Sequence, residues 1–153
     1  MDSYIEYAII EAKKALAIGE VPVGAVIVKE NKIIAKSHNL KEALKDPTAH
    51  AEVLAIKKAC KILENWRLKG CKMYVTLEPC AMCASAIIQS RISELHIGTF
   101  DPVGGACGSV INITNNSYLK SNLSIKWLYD DECSKIITNF SKILEKIYKS
   151  VLI

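Results

Sequence analysis

Long hydrophobic runs are missing from this 153-residue chain. Its longest apolar stretches, such as Val21–Val28, fall well short of the ~20 residues that a membrane span needs, which excludes a transmembrane protein. A basic-then-apolar leader is missing too: the chain starts Met1, Asp2, Ser3, Tyr4, Ile5, Glu6, and a cytoplasmic protein is expected. Arginine is scarce, with Arg67 and Arg91 the only two among 20 basic residues, and the net charge of +4 does not by itself announce a nucleic-acid binder. With 7 Gly and 4 Pro the chain is neither collagen-like nor disordered. The six cysteines, without a secretion signal, do not form a disulfide framework, and only Cys80 and Cys83 stand at a ligand-like spacing.

What is present reads as one compact domain over residues 1–153. Tyr4–Ala17 has helical periodicity and stops before Gly19. Val23–Val28 and Lys32–Ser37, separated by Glu30 and Asn31, predict a β-hairpin. Asp46-Pro47-Thr48 predicts the start of a helix running to about Leu63, with Asp46 as its cap. A strand at Lys72–Leu77, a helix from Cys80 to about Ser90 and a strand at Glu94–Phe100 follow. After a Gly-rich loop over Asp101–Ser109 come a strand at Ser124–Tyr129 and a closing helix at Asp130–Val151. This alternation predicts an α/β fold, with a parallel core sheet, helices on both faces and an antiparallel strand added at one edge by the hairpin. In such sheets chemistry collects where strands lead into helices.

Both sharp motifs fall at helix starts. His50-Ala51-Glu52 opens the second long helix, and Pro79-Cys80-Ala81-Met82-Cys83 opens the third. Residues three apart on a helix face one way, and a helix N-terminus favours thiolate over thiol. Two thiolates and a neutral imidazole from His50, Cys80 and Cys83 therefore suit a zinc ion with one position left for water. That ion with those ligands carries no net charge and still acts as a strong Lewis acid. Glu52, two residues past His50, can face the open position and carry a proton without being a ligand. A closed structural site would need a fourth ligand at a partner spacing. His38, His96, Cys60, Cys71, Cys107 and Cys133 form no such pair.

These residues carry a resemblance. His-x-Glu followed by Pro-Cys-x-x-Cys resembles the signature of zinc-dependent nucleobase deaminases in the cytidine/deoxycytidylate deaminase superfamily. The segments Asp46–Glu52, Thr76–Cys83, Ser90-Arg91-Ile92, Glu20–Val26 and the loop from Asp101 to Ser109 are similar to the bacterial tRNA-specific adenosine deaminases, in order across roughly residues 4–145. The resemblance implies a cytidine-deaminase-like three-layer α-β-α sandwich with a mixed five-stranded sheet. It further implies hydrolytic deamination of adenosine to inosine at the wobble position of a tRNA anticodon, with one zinc per subunit of a homodimer. Asn39 would hold the target nucleoside and Asp101 would contact the nucleic-acid backbone; taken alone, Asn39 is a turn residue and Asp101 a loop opener. The chain departs from the family at Val103, where lysine is frequent, and in a closing helix that carries Lys135, Lys142, Lys146 and Lys149 but no arginine. Those lysines share one helical face, suited to an anticodon stem or simply to solvent. Met73, Met82, Trp66 and Trp127 are expected to pack rather than to stack on bases. The same zinc chemistry would serve a small-molecule guanine, cytosine or cytidine deaminase. A non-catalytic, zinc-stabilised nucleic-acid-binding domain is the remaining alternative.

Overall fold

The computed structural model describes residues 4–152. Met1, Asp2 and Ser3, the first residues of the start read above as lacking a leader, lie outside the described residues. The elements in order are α1 (Tyr4–Ala17), β1 (Gly24–Lys29), β2 (Lys32–His38), α2 (Lys41–Leu44), α3 (Ala51–Leu63), β3 (Lys72–Leu77), α4 (Ala81–Gln89), β4 (Glu94–Thr99), β5 (Ser124–Trp127) and α5 (Asp131–Val151). The strands form one five-stranded sheet in the order β2-β1-β3-β4-β5. Among the described residues, no helix is long and apolar enough to cross a membrane.

Period-2 alternation sorts side chains onto the two sheet faces. Ala25 and Ile27 of β1, with Met73 and Val75 of β3, pack in the same cluster as Ala51, Ala55 and Ala59 of α3 and Ala84 and Ile87 of α4. Their neighbours Val26, Val28 and Tyr74 pack with Ile5, Ala8 and Ile9 of α1 and Cys133 of α5. The three layers of the expected sandwich follow from this alternation. β3, β4 and β5 are parallel, as the strand-helix-strand order predicts.

The hairpin differs in one respect. β1 runs antiparallel to both β2 and β3, so the reversed strand lies one place in from the edge. Glu30 and Asn31 both have positive φ, 49° and 60°, the two-residue turn geometry that matches strand twist.

Asp46 does not cap a helix. Its carboxylate accepts from the Thr48 backbone N–H at 2.8 Å and from the Thr48 hydroxyl at 2.7 Å, closing a turn. Helix α3 starts later, at Ala51, with His50 as the residue before its first turn. The short helix α2 was not foreseen from sequence. Its first N–H groups are met by the buried carboxylate of Glu20, which accepts from Glu42 at 3.2 Å and Ala43 at 2.7 Å.

Helix α1 lies so close to β1 that only glycine fits at position 24. A Cβ there would overlap the Ala8 carbonyl oxygen and come within 2.6 Å of the Ala12 nitrogen, both helix backbone. Gly24→Ala is therefore expected to cost about 1–3 kcal/mol. For a domain of this size, that is a fall in Tm of roughly 2–4 °C per kcal/mol. Gly104→Ala, whose Cβ would meet nothing nearer than Asp101 Oδ2 at 3.7 Å, is the control and should melt as the parent does. Equal melting curves for the two variants would contradict this packing.

Candidate active site

Two strand-to-helix junctions and one strand-to-loop junction converge at the carboxyl ends of the parallel strands. His50 stands before the first turn of α3 in extended backbone (φ −77°, ψ 152°), and Cys80 stands likewise before α4 (φ −71°, ψ 176°). Cys83 lies within the first turn of α4 and is fully buried. His50 Nδ1 is 3.7 Å from Cys80 Sγ and 3.5 Å from Cys83 Sγ.

Those distances test whether zinc fits. Zn–S bonds of about 2.3 Å and Zn–N bonds of about 2.0–2.1 Å at a tetrahedral angle put nitrogen and sulfur about 3.6 Å apart. Both nitrogen–sulfur distances match that spacing, and all three ligand atoms lie within 4.8 Å of one another. Their protonation agrees. A hydrogen bond from Cys83, with further help from His50, pulls Cys80 down to about 4 against the effect of burial. Cys83 is pushed far up, first by holding the proton shared with Cys80 and then by burial and by Glu52. The hydrogen bond to Cys80 raises His50. The cluster thus retains a proton that a ligand set of two thiolates and a neutral imidazole must shed, and a divalent cation is what displaces such a proton.

Glu52, in the first turn of α3, is 3 % exposed. Burial raises its carboxyl, opposed by a hydrogen bond from Cys83, so a proton resides on it more readily than on a solvated glutamate. It lines a pocket of about 230 Å³ together with His50, Cys80, Asn39 and Asp101, while Val21, Val23 and Leu77 supply apolar walls. Cys83 is the one expected site residue that does not line this pocket; it reaches His50 from the buried side.

Asn39 and Asp101 make the local hydrogen bonds of a turn residue and a loop opener, and both line the pocket. Asn39 donates from Nδ2 to the Val21 carbonyl at 3.3 Å and accepts at Oδ1 from the Lys41 N–H at 3.1 Å, while lining the pocket. Asp101 accepts at Oδ1 from the N–H groups of Val103 at 2.9 Å and Gly104 at 3.2 Å, opening its loop as it lines the pocket.

Glu78 escaped sequence reasoning, where it fell between the strand ending at Leu77 and the helix from Cys80. Its buried carboxylate accepts from the N–H groups of Asp101 at 3.0 Å, Cys107 at 2.9 Å and Ser109 at 3.1 Å, and from the Ser109 hydroxyl. Gly105 packs so tightly against it that a Cβ would overlap the carboxylate. A single charged side chain thus fixes the loop that carries Asp101. The sequence shows only an acidic residue two places before Cys80, and nothing local marks it for this task.

A larger cavity of about 560 Å³, lined by Lys69, Arg91 and Lys120 among others, lies toward the amino ends of β3 and β4 and holds no ligand residue. Of the two tryptophans expected to pack, Trp127 does and Trp66 does not. Trp66 is 53 % exposed beneath the Arg67 guanidinium, 4.3 Å from its ring centroid, and is not a core residue. Trp127 is half-buried against the core, with its ring stacked on Tyr129.

The likeness to known proteins runs over most of the chain. The profile of the cytidine and deoxycytidylate deaminase zinc-binding region matches residues 1–99. The tRNA-specific adenosine deaminase of Aquifex aeolicus is 49 % identical over 141 residues, 91 % of this chain and 92 % of that protein. Its counterpart in Bacillus subtilis is 43 % identical over 148 residues, 96 % and 92 % of the two chains. A solved structure from a study of A-to-I editing by tRNA:A34 deaminases at the wobble position superposes with a TM-score of 0.86 at 40 % identity, covering 89 % of this chain and 99 % of that one. A guanine deaminase from Bacillus subtilis superposes with a TM-score of 0.63 at 32 % identity, covering 78 % and 88 %. With its His50-Cys80-Cys83 triangle, its buried Glu52 and this likeness along its length, the chain belongs to the zinc-binding cytidine and deoxycytidylate deaminase family, among its tRNA-specific adenosine deaminases.

Proposed function

We propose that the chain is a single zinc-dependent deaminase domain that converts adenosine to inosine at the wobble position of tRNA anticodons. The observation that carries the chemistry is the His50-Cys80-Cys83 triangle opening on a small pocket beside buried Glu52. Similarity to the tRNA-specific relatives over nine-tenths of the chain carries the substrate class.

His50, Cys80 and Cys83 hold one zinc per chain. Zinc supplies Lewis acidity there, which makes water a nucleophile near neutral pH. Deamination adds water at C6 of the purine and expels ammonia, so protons must pass from water to the ring and then to the departing nitrogen. Glu52 takes the first proton and returns it, and its raised carboxyl suits that exchange. Val21, Val23 and Leu77 flank the base and limit bulk water. Asn39 holds the nucleoside, and Asp101 meets the backbone beside it from a loop that Glu78 keeps rigid.

The pocket is small, so the rest of an RNA substrate must lie outside it. Lys135, Lys142, Lys146 and Lys149 stand exposed along α5 and offer phosphate contacts to an anticodon stem. A second copy of the chain completes the RNA groove, with exposed Ile143, Ile147 and Val151 supplying apolar surface for association. The setting is the cytoplasm, where the tRNA pool is found.

The test is to incubate the protein with a panel of unmodified tRNAs and sequence them for inosine, with free guanine and cytidine as parallel substrates. Inosine should appear at the wobble adenosine of at least one tRNA. The reaction should weaken steeply with added salt, because phosphate contacts release counterions. Turnover of guanine or cytidine with every tRNA unedited would overturn this reading in favour of a small-molecule deaminase.

A further inference from the structure

Three aromatic rings stand on the same edge of the sheet as the metal ligands. Phe100 directly follows β4 and is 52 % exposed, Trp127 ends β5, and Tyr129, two residues on, is 71 % exposed. The Trp127 and Tyr129 rings stack with centroids 6.1 Å apart and planes 20° from parallel. With Ser109 and Asn112 these rings line a cleft of about 460 Å³ whose lining bears no charged side chain.

Two observations separate this cleft from an incidental cluster of exposed rings. Tyr129 has φ 49°, in the left-handed region that bulky side chains rarely occupy, and such strain persists only where the surroundings enforce it. Held that way, the ring lies against Trp127 while staying open to solvent. The cleft is also tied to the catalytic pocket through the chain. Phe100 is bonded to Asp101, which lines that pocket, and Glu78 clamps Asp101, Cys107 and Ser109 to one carboxylate. The two cavities thus share one rigid loop.

Flat rings beside uncharged hydrogen-bonding groups suit a nucleobase, which offers a π-face and polar edges. Single-stranded RNA is held in this way, by stacking unstacked loop bases on aromatic side chains. We propose that this cleft receives the base of a nucleotide flanking the target adenosine, and that Phe100 and Tyr129 contribute to substrate binding by stacking on it. The proposal rests on the RNA-editing reading above.

Trp127 makes the test direct. The chain has 2 tryptophans, so Trp66→Phe, at an exposed position outside both cavities, leaves Trp127 as the sole reporter in the cleft. That variant is titrated with three anticodon stem-loops, one intact, one abasic 5′ of the adenosine and one abasic 3′ of it. The intact loop should quench Trp127 fluorescence, and one of the two abasic loops should bind without quenching. Tyr129→Ala should raise KM for the intact loop by about tenfold, with the penalty on KM rather than kcat, and should add nothing for the abasic loop that fails to quench. Tyr129→Phe should restore the parent KM. Quenching by all three loops, or an equal Tyr129→Ala penalty on all three, would overturn the proposal. Failure of the RNA reading itself looks different: the intact loop neither binds nor reacts while guanine or cytidine is turned over, and the proposal falls with it.

Discussion

Glu52→Gln should retain its zinc and its melting temperature while losing turnover by roughly 10²–10⁴-fold or more. The size of the effect follows from the lack of a substitute. The other carboxylates lining the pocket are those of Glu78 and Asp101. Glu78 is committed to three backbone N–H groups and a hydroxyl, and Asp101 Oδ1 to two backbone N–H groups. Glutamine keeps the volume of the buried side chain but cannot cycle a proton. Rates from single-turnover kinetics, with zinc measured on the same preparation, decide the matter. Turnover within tenfold of the parent, or loss of the metal, would remove Glu52 from the proton-carrying role.

Cys83→Ala should have the next largest effect, and of another kind. The variant should fall from about one zinc per chain to almost none, lose activity with the metal, and melt at a lower temperature. Cys83 is fully buried and is one of three ligand atoms, so its removal leaves Cys80 and His50 as a two-point site that water must complete. Structural zinc in small domains binds with apparent free energies of about 10–16 kcal/mol, which gives the scale of what a broken site forfeits. Elemental analysis and thermal melts check this. Full zinc retention would take Cys83 out of the ligand set.

Much of the chemistry was legible in the sequence because it is local. His50 with Glu52, and Cys80 with Cys83, are pairs no more than three residues apart, and each begins at the extended residue before a helix. What the sequence concealed acts over distance. The carboxylate that starts α2 belongs to Glu20, more than twenty residues upstream, so Asp46-Pro47-Thr48 looked like a helix start while in fact closing a turn. Glu78 recruits donors 23 to 31 residues downstream, and no local pattern marks a carboxylate for that task. The place of β1 between β2 and β3 depends on which edge of the hairpin pairs, and alternation alone is the same for either edge. Trp127 alternates inward as a core residue should, yet its stacking on Tyr129 depends on a backbone reversal that no composition rule foretells.

Zinc-dependent deamination of adenosine in an RNA loop is the activity that this site and its relatives support. One measurement tests it most directly: inosine formation in an anticodon stem-loop followed over time with the protein as purified, after zinc is stripped by a chelator, and after zinc is returned. Inosine should form at the wobble adenosine alone, cease on stripping and resume on return of the metal. Undiminished inosine formation without zinc, or an inert stem-loop beside active turnover of guanine or cytidine by the reloaded protein, would contradict it.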